Sequence, residues 1–555
     1  MFITKYRHIF TFIVIFCIAN ITTFSNTKAE IGYNFSTGEF INSNDKKKKK
    51  KENNTDNTNK KQQIEEKKQS NNQFKFTISG EADLSYSYGG NANEYSQHLY
   101  PNNLTYSPAM SNNHINNTKH PNSFNAVGKI SFIPEFIKYK EQEQDELGKK
   151  PEVLFKTGLK FTQPIKNFSK QIDQRMITEE YAYFDNKYIR IEGGTTMSAV
   201  SKMRVDPASI ASGIGGVYGT WWKYIRLPVF NTTGLSAMDT NALNAMSPVF
   251  ILYPTLPNEA GFTTQNTLVG TNINQTMFNG GNIDATQLAF GARGQGYPTK
   301  GANSNKISIY SKRFCGFKGG FSYSPSTSNV GLLTRLTNGR INPYNNISGG
   351  DVKNYTSFAV DYRKQFDEYG IGIALFAGYE YGEPTDIKYN YNNNGGVAVI
   401  AVSSSTPYYQ RHNLNAFALG GKFVWKNLSL AYSYGYWGKS LLNKYKQTTN
   451  GLYQVANQDN NSYYHSVGIG FNYGQFRAGI TYMRSNFAGN KLDAWSIGID
   501  YKEYNLKYFN LTPYIEYVGY HFHNYKHELI VGSGQYYRTI SNNGFVIQIG
   551  CKATF

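Results

Sequence analysis

The last eleven residues, Phe545-Val-Ile-Gln-Ile-Gly-Cys-Lys-Ala-Thr-Phe555, alternate between two kinds of side chain. In an extended chain, Phe, Ile, Ile, Cys, Ala and Phe fall on one face, and the other face is polar or small apart from Val546. Many segments upstream repeat this pattern, with polar faces rich in Gly, Ser, Thr and charged residues. An apolar outer face with a polar inner face is typical of a transmembrane β-barrel rather than a water-soluble sandwich.

The composition excludes the main alternatives to a large all-β protein. The chain has 555 residues, of which 40% are hydrophobic, 17% charged and 15% aromatic. Its mean hydropathy is −0.51, and no apolar run of about 18 residues follows residue 30, which excludes a helical membrane protein. With 45 Tyr, 52 Gly and 36 Phe, the chain is not disordered as a whole either.

The first 29 residues have the pattern of a secretory signal peptide. Lys5 and Arg7 precede an apolar stretch at 9–19, and a polar region ends in Thr-Lys-Ala29. The apolar stretch is shorter than the roughly 20 residues of a membrane span, so a removed signal is favoured over an anchoring helix. The exported chain then retains only Cys315 and Cys551, which is not a disulfide framework.

Residues 30–73 form a Lys- and Asn-rich, low-complexity segment that we expect to be disordered. It contains six consecutive lysines at 46–51 and few apolar side chains. It therefore has too little apolar surface to bury to offset the conformational entropy that ordering would cost. Two interpretations are contact with an anionic lipid or polymer and a solvated spacer, of which the spacer is favoured. Residues 74–555 carry 44 Lys and Arg against 31 Asp and Glu, so the folded part is basic by itself.

From residue 74 the period-two pattern predicts a barrel domain, 74–555, of sixteen antiparallel strands. An even number is what a single-chain bacterial barrel requires, with short turns at one end and long loops at the other. Two connections depart from that alternation, a long turn at 134–151 and a short loop at 486–490. An apolar patch at 287–290 is assigned to a loop. The predicted strands are 74–88, 122–133, 152–163, 176–184, 187–193, 304–312, 315–324, 354–364, 369–381, 411–425, 427–438, 462–473, 476–485, 491–502, 511–522 and 543–555.

The connection after the fifth predicted strand, 194–303, has 110 residues. Structureless loops of that length are uncommon and usually functional. With Tyr188-Ile-Arg-Ile-Glu-Gly-Gly194 leading into this third loop, the signal peptide, the sixteen amphipathic strands and the terminal Phe555, the sequence resembles the general porins of Gram-negative outer membranes, especially the alphaproteobacterial members. The resemblance covers residues 74–555.

That resemblance implies a fold, a place and a set of partners. The third loop would fold into the barrel and narrow it, and three barrels would associate as a homotrimer in outer-membrane lipid. Phe555 would match the C-terminal aromatic that the outer-membrane assembly machinery recognises. The implied activity is passive, water-filled diffusion of ions and small hydrophilic solutes, without enzymatic chemistry, cofactor or nucleic acid.

The face assignments supply candidate residues for a constriction. Apolar neighbours at alternate positions face lipid, and a Lys or Arg facing lipid at the midplane would cost about 2–4 kcal/mol. The wall residues turned inward are therefore Lys129, Lys156, Lys160, Arg190 and Glu192, and the loop offers Lys202, Arg204 and Asp206 opposite them. Facing rows of charge would create a transverse field that screens solutes. The alternative is that each is a solvated charge far from the narrowest point.

Two loop features have structural interpretations. Asp206 followed by Pro207 is a good helix start, through about Ile210. The pair Trp221 and Trp222 is interpreted as a packing anchor rather than a solute contact.

His521, His523 and His527 are interpreted as exposed loop histidines rather than a weak metal site. No Walker A, HExxH or GxSxG sequence is present.

A diffusion pore with a mild preference for anions is the favoured function, and two other classes remain open. The first is a surface adhesin or structural protein whose barrel is plugged by the long loop, which negligible conductance would favour. The second is a barrel hydrolase, which needs a Ser/His or Asp/His set at the outer rim. Loss of hydrolysis on mutation of a loop histidine would support it.

Overall fold

The computed structural model of the chain describes most strands, parts of the long loop and several short segments. The described residues are 31–34, 39–42, 72–91, 122–140, 152–165, 177, 179–210, 215–219, 221, 251–260, 304–327, 352–384, 410–441, 443–444, 461–487, 489–501, 504–505, 510–523, 527–531, 534–538 and 541–554. The predicted signal peptide, the lysine run, the patch at 287–290, Trp222 and Phe555 lie outside them.

Sixteen antiparallel strands form one closed barrel, which confirms the predicted fold class. Each strand pairs with the next along the chain, and the ring closes where the last strand pairs with the first. The strands are β1 Asn72–Asn91, β2 Asn122–Tyr139, β3 Val153–Ile165, β4 Glu179–Asn186, β5 Ile189–Thr196, β6 Ser304–Ser311, β7 Phe317–Ser326, β8 Val352–Phe366, β9 Ile371–Pro384, β10 Leu414–Trp425, β11 Leu428–Gly438, β12 Ser462–Tyr473, β13 Phe476–Phe487, β14 Asn490–Tyr501, β15 Asn510–His523 and β16 Ser541–Thr554.

The strand ends differ from the sequence prediction in places. The second predicted strand ended at residue 133, but β2 continues through Pro134 to Tyr139. Phe136 pairs with Phe74 of β1, so the apolar outer face extends beyond the proline. A predicted disordered segment also contains a short antiparallel pair, Ile31–Asn34 with Glu39–Asn42. Each of these short strands contains large β-favouring side chains, which suit a pleated pair.

The two faces of the barrel wall differ in polarity, as the alternation predicts. Phe358, Leu375 and Ile497 point outward and are about half exposed to the surroundings. On the inner face, Ser357 and Ser466 are buried. Since every backbone group of a closed barrel is paired within the ring, an apolar outer face of this kind suits a lipid environment.

Short connections lie at one end of the barrel, which is called the short-turn end below. They include Lys187 and Tyr188, residues 312–316, residues 367–370 and residues 474–475. Gly370 and Gly474 adopt positive φ angles there, which glycine does without steric cost. Two short antiparallel pairs lie in the long connections at the other end of the barrel. They are Gln410–Arg411 with Asn443–Lys444, and His527–Val531 with Gly534–Arg538. Tyr504–Asn505 pairs with the start of β15.

Helical segments are few and belong mainly to the long loop. They are α1 Ala199–Met203, α2 Pro257–Ala260 and 3-10 turns at Pro207–Ser209, Gly216–Tyr218 and Asp367–Tyr369. In the part of the chain that the structure describes, no helix is long and apolar enough to cross a membrane. The buried apolar core combines side chains of these loop segments with inward-facing side chains of the strands.

Candidate functional site

The long loop turns into the barrel directly after β5. Ser198 caps α1 by accepting a hydrogen bond from the Ser201 backbone N–H at 3.3 Å. The backbone N–H of Ala199 donates to the inward-facing hydroxyl of Ser322 on β7 at 2.8 Å. Ala199, Val200 and Met203 are all buried against β6 to β9. The start of the loop therefore lies on the inner wall, not above the rim.

The middle of the described loop crosses β10 to β12 by close backbone approach. A Cβ atom at Gly420 of β10 would lie 1.9 Å from the carbonyl oxygen of Val205, so the loop rests directly on this glycine. Asp206 accepts a hydrogen bond from the Ala208 backbone N–H at 3.0 Å and begins the 3-10 turn, as the Asp-Pro sequence predicts. Ile210 then packs against Gly470 of β12.

A third contact region joins the loop to β12, β13 and β15. The Val217 backbone N–H donates to Thr481 Oγ1 at 3.0 Å, and the hydroxyls of Tyr218 and Ser466 are 2.5 Å apart. Trp221 is fully buried and stacks on Tyr520, with ring centroids 5.7 Å apart. Trp221 thus acts as the packing anchor that the sequence suggests.

The returning part of the loop, 251–260, lies against the inner face of β9, β11 and β13. Trp437 Nε1 donates to the Thr255 carbonyl oxygen at 2.7 Å, and the Asn258 backbone N–H donates to Glu380 at 3.0 Å. Ser485 donates to the Ile251 carbonyl oxygen at 2.9 Å. The described loop segments therefore line the inner wall from β6 round to β15.

Three charged side chains on the inner face of β16, β1 and β2 stay partly exposed. Lys129 Nζ lies 3.1 Å from Glu81 Oε1, and Lys552 Nζ lies 3.5 Å from Glu81 Oε2. The side chain of Lys129 is 54% exposed, and those of Glu81 and Lys552 are each 38% exposed. All three side chains point inward and keep part of their surface exposed inside the barrel.

The neighbouring wall, β3 to β5, carries cations that are paired with carboxylates of the same wall. Lys160 Nζ lies 2.8 Å from Glu179, and Arg190 Nε lies 2.8 Å from Glu192. Arg190 also lies 3.6 Å from Asp185 and over the ring of Tyr183. The predicted cations Lys160 and Arg190 do point inward, but carboxylates of the same wall balance their charge.

The sequence predicts that Lys202 lies opposite the β3 to β5 wall, across the lumen. In the structure, Lys202 contacts that wall directly. Its ammonium group contacts Glu192 of β5 directly and donates to Thr196 Oγ1 at 2.7 Å. It also lies 4.6 Å from the ring centroid of Tyr181. Burial lowers the pKa of Lys202, and the Glu192 carboxylate opposes that shift. The contact exists because α1 begins only a few residues after β5, which keeps Lys202 beside that strand.

Arg204 and Asp206 lie farther round the ring. Arg204 Nε donates to Asp206 at 2.8 Å, and Arg204 Nη1 donates to Thr255 at 2.6 Å. The adjoining Val205 rests on β10, which is eight strands from β2 in a ring of sixteen. This pair is therefore on the wall opposite Lys129.

The structure thus separates the predicted residues into groups. Glu192 is buried and contacts both Arg190 and Lys202, Lys129 is exposed on the inner face of β2, and Arg204 with Asp206 is across the barrel. Lys156 points inward opposite Asp185 of β4. Their partners Glu81, Asp185, Glu179 and Lys552 were not among the predicted residues. The alternation of β1 and β4 already places Glu81 and Asp185 on the inward face, and it was the only signal for them.

A metal centre is not among the features found in the described ranges. No group of three or more His, Cys, Asp or Glu side chains there is arranged to hold an ion. His521 and His523 are exposed on the outward face at the end of β15. Neither Cys315 nor Cys551 forms a disulfide bond in the described part of the chain.

Comparisons with known proteins give distant relatives. No family model matches the chain. Proteins of Rickettsia bellii (strain RML369-C) and Rickettsia felis, both named "Uncharacterized protein", are 24% and 22% identical over 345 and 343 residues, or 58% of this chain. The chain spans 65% of the length of these relatives.

Solved structures similar to this chain include several porins. A mutant of the Rh. blastica porin is 9% identical, with 87% of this chain and 100% of that chain covered and a TM-score of 0.39. Salmonella typhi OmpF in complex with daunomycin is 12% identical, with coverage of 86% and 97% and a TM-score of 0.39. Vibrio cholerae OmpT, in its trimer form, is 8% identical with a TM-score of 0.39 and coverage of 86% and 99%. At this level of similarity, the chain's own strand pairing establishes its barrel.

Proposed function

We propose that this protein is an outer-membrane porin, a passive water-filled channel for ions and small hydrophilic solutes. The observation that carries the proposal is the asymmetry of the barrel interior. The loop packs along β6 to β15, whereas Glu81, Lys129 and Lys552 on the other side point inward and stay exposed. A closed barrel with an apolar outer face and exposed charges inside is what an aqueous pore requires.

The proposed screening of solutes combines size and charge. The described loop narrows the space from one side, and Arg204 with Asp206 faces the Lys129 wall across it. Lys156, Lys160, Arg190, Glu192 and Lys202 complete the proposed constriction set. Charges on facing walls of a narrow lumen order water and favour solutes of matching charge and dipole.

The same proposal includes export, assembly and association. The N-terminal signal at 1–29 would direct export from the cytoplasm of a Gram-negative bacterium, and Phe555 would be read by the outer-membrane assembly machinery. Three copies would associate in the membrane as a homotrimer. No enzymatic step is part of the proposal.

Single-channel recording tests this proposal. Mature protein, refolded and shown to be folded by its heat-modifiable mobility on gels, is added to a planar lipid bilayer in KCl. Stable current steps, often in threes, are the expected result. Folded protein that gives no steps across a wide range of voltage would contradict the channel.

One observation favours a second function, a plugged barrel that serves as an adhesin or structural protein. Apolar loop side chains such as Trp221, Ile251 and Leu256 are fully buried inside the barrel. Packing of this kind would close the lumen if the rest of the loop continued it. Silence in the bilayer, together with binding of the refolded protein to host-cell surfaces, would support this alternative.

A further inference from the structure

Three histidines on the outer face of the barrel have no part in the proposed channel. His465 lies on β12, and His521 and His523 lie on β15, toward the end of the barrel opposite the short-turn end. Each occupies an outward position of its strand, because the described residues next to it in sequence are buried. An ionisable side chain on a membrane-facing surface is costly unless it meets a polar partner, so these histidines mark a candidate binding surface.

The strand register extends the histidines into a continuous polar patch. Residues directly opposite one another on adjacent antiparallel strands bring their side chains within contact range on one face. Two rows of outward side chains cross β12 to β15 in this way. One row is His465, Arg484, Asp493 and His521, and the other, nearer the end of the barrel, is Tyr463, Asn486, Lys491 and His523. These residues are called the outer polar patch below.

The outer polar patch is cationic already at neutral pH. Arg484 and Lys491 are its permanent cations, and Asp493 is the one carboxylate that the described outward positions of β12 to β15 contain. Asp493 accepts a hydrogen bond from the Tyr482 hydroxyl at 2.6 Å and lies 3.3 Å from Arg484 Nε. The Arg484 side chain is still 50% exposed, so it can contact a second anionic group.

A lower pH adds positive charge to the outer polar patch. Imidazoles change their charge between about pH 5 and 8, so each of the three histidines can contribute one further cation. The other titratable or charged side chains that face them come from four strands. They are Tyr434 and Tyr436 on β11, Tyr463 on β12, Tyr482 and Arg484 on β13, and Lys491 and Asp493 on β14.

A row of large side chains lies next to the outer polar patch, on the side toward the middle of the barrel. Val467, Tyr482 and Trp495 lie opposite one another on β12, β13 and β14. The Trp495 indole covers Gly519 of β15, where a Cβ atom would lie 2.6 Å from its Cε2 atom. Trp495 is itself 46% exposed. Rows of Tyr and Trp are typical of the depth at which lipid headgroups meet acyl chains, so the outer polar patch lies at headgroup level.

We propose that the outer polar patch binds the phosphate-bearing headgroup of a lipid in the adjoining leaflet, and that a lower pH strengthens this binding. Arg484 and Lys491 form charge-assisted hydrogen bonds to the phosphate oxygens. The acyl chains lie against Val467 and Trp495, and this contact makes a lipid rather than a free phosphate ion the ligand. The proposal rests on the proposed location in a membrane but not on an open lumen.

Trp495 provides a reporter for the test. The folded, full mature barrel in an uncharged detergent is titrated with phosphatidylglycerol or phosphatidylcholine that carries bromine on its acyl chains, and quenching of tryptophan fluorescence is recorded. The part of the quenching that Trp495→Phe removes belongs to this site. We expect phosphatidylglycerol to quench at about fivefold lower mole fraction than phosphatidylcholine near neutral pH. The preference increases at about pH 5.5, where the imidazoles are charged and the phosphodiester charge is unchanged.

Two sets of variants separate the permanent cations from the histidines. Arg484→Gln with Lys491→Gln abolishes the preference for phosphatidylglycerol near neutral pH. Exchange of all three histidines for Gln keeps that preference and removes its increase at lower pH. Should the first variant fail to fold, Lys491→Gln alone carries the test, with an expected loss of about fivefold.

A matched control removes two exposed cations at the short-turn end. Lys364 is near the end of β8, and Lys426 lies in the turn after β10. Lys364→Gln with Lys426→Gln lowers the net charge by the same amount as the first variant and keeps the preference at Trp495. Equal loss in this control, or no preference in the native protein at either pH, overturns the site.

Two further outcomes bear on the ligand and on the channel. Displacement of the brominated lipid by inorganic phosphate would show that a free anion is the ligand and would overturn the lipid proposal. An increase at lower pH that survives the loss of the histidines would overturn their role. Current steps without the lipid preference refute the patch and keep the channel, whereas the lipid preference without current steps keeps the patch and refutes the channel.

Discussion

At the scale of single residues, solvent exposure separates two kinds of ion pair inside this barrel. Glu192 retains only 4% of its side-chain exposure and receives both Arg190 and Lys202. Glu81 also receives two cations, Lys129 and Lys552, but it is 38% exposed. Water screens the second cluster, so its pairs contribute little free energy, whereas a buried carboxylate with two cationic partners is costly to remove.

We therefore expect Glu192→Gln to destabilise the barrel and Glu81→Gln to leave it nearly unchanged. Loss of the buried carboxylate removes the acid that Lys202 contacts and leaves Arg190 with Asp185 alone, which lowers the free energy of unfolding by about 1–3 kcal/mol. Glu81→Gln, in the exposed cluster, lowers the free energy of unfolding by about 0–1 kcal/mol. Guanidinium titration of both variants, folded in micelles, measures the free energy of unfolding. Equal loss in the two variants would show that burial does not decide the strength of these pairs.

At the scale of elements, the loop is seated on the wall by small residues on the inner face of the strands. Gly420 and Gly470 leave room for the Val205 carbonyl oxygen and for Ile210. Hydrogen bonds from Ala199 and Val217 to strand hydroxyls satisfy loop backbone groups that burial removes from water. The loop is thus positioned by the wall rather than by structure of its own.

Adjacent glycines of β10 provide a test of that seating. Gly420→Ala places a Cβ atom 1.9 Å from the Val205 carbonyl oxygen, so the loop must move away from the wall. Gly421→Ala points outward and meets no atom closer than 3.5 Å. We expect Gly420→Ala to lower the melting temperature and to change the single-channel conductance or its noise. Gly421→Ala is expected to be neutral or to stabilise by about 0.4–1 kcal/mol, since alanine restricts the unfolded chain. Identical behaviour of the two variants would mean that the loop does not rest on β10.

At the scale of the whole molecule, closure and the apolar outer face are the properties on which membrane insertion depends. Pairing of β16 with β1 leaves no free sheet edge in the ring, and an unpaired edge is not tolerated in lipid. Outward residues such as Ile497 in the middle of β14 are apolar, whereas Tyr473 lies at the short-turn end of β12. Depth in the bilayer should therefore decide the cost of a charge on this face.

Folding into lipid vesicles distinguishes these depths. Ile497→Lys is expected to cost about 2–4 kcal/mol, and Tyr473→Lys about 0–1 kcal/mol, because the penalty for a lysine falls from the midplane toward the interface. The folded fraction in vesicles is read from the heat-modifiable band across a urea series. A lysine at 497 that folds as readily as one at 473 would contradict a lipid-facing position for β14.

The sequence by itself determined the number of strands, their faces and the position of the long loop. These properties are local: a period of two assigns each side chain to a face, and short turns fix which strands are neighbours. The inward direction of Lys129, Lys156, Lys160, Arg190 and Glu192 followed from their apolar neighbours alone. The short helical turn after Asp206 was equally local, since a cap and a first-turn proline act within a few residues.

Only the tertiary structure decided which charges meet. Lys552 reaches Glu81 because the ring closes between β16 and β1, and Arg313 reaches Asp361 because the turn before β7 lies beside β8. Lys202 meets Glu192 because α1 turns back along the wall. Contacts between residues far apart in sequence depend on strand register and on how the loop fits the interior. An alternation pattern contains no information on strand register or on the fit of the loop. It therefore predicted which charges lie on the inner wall but not which of them pair.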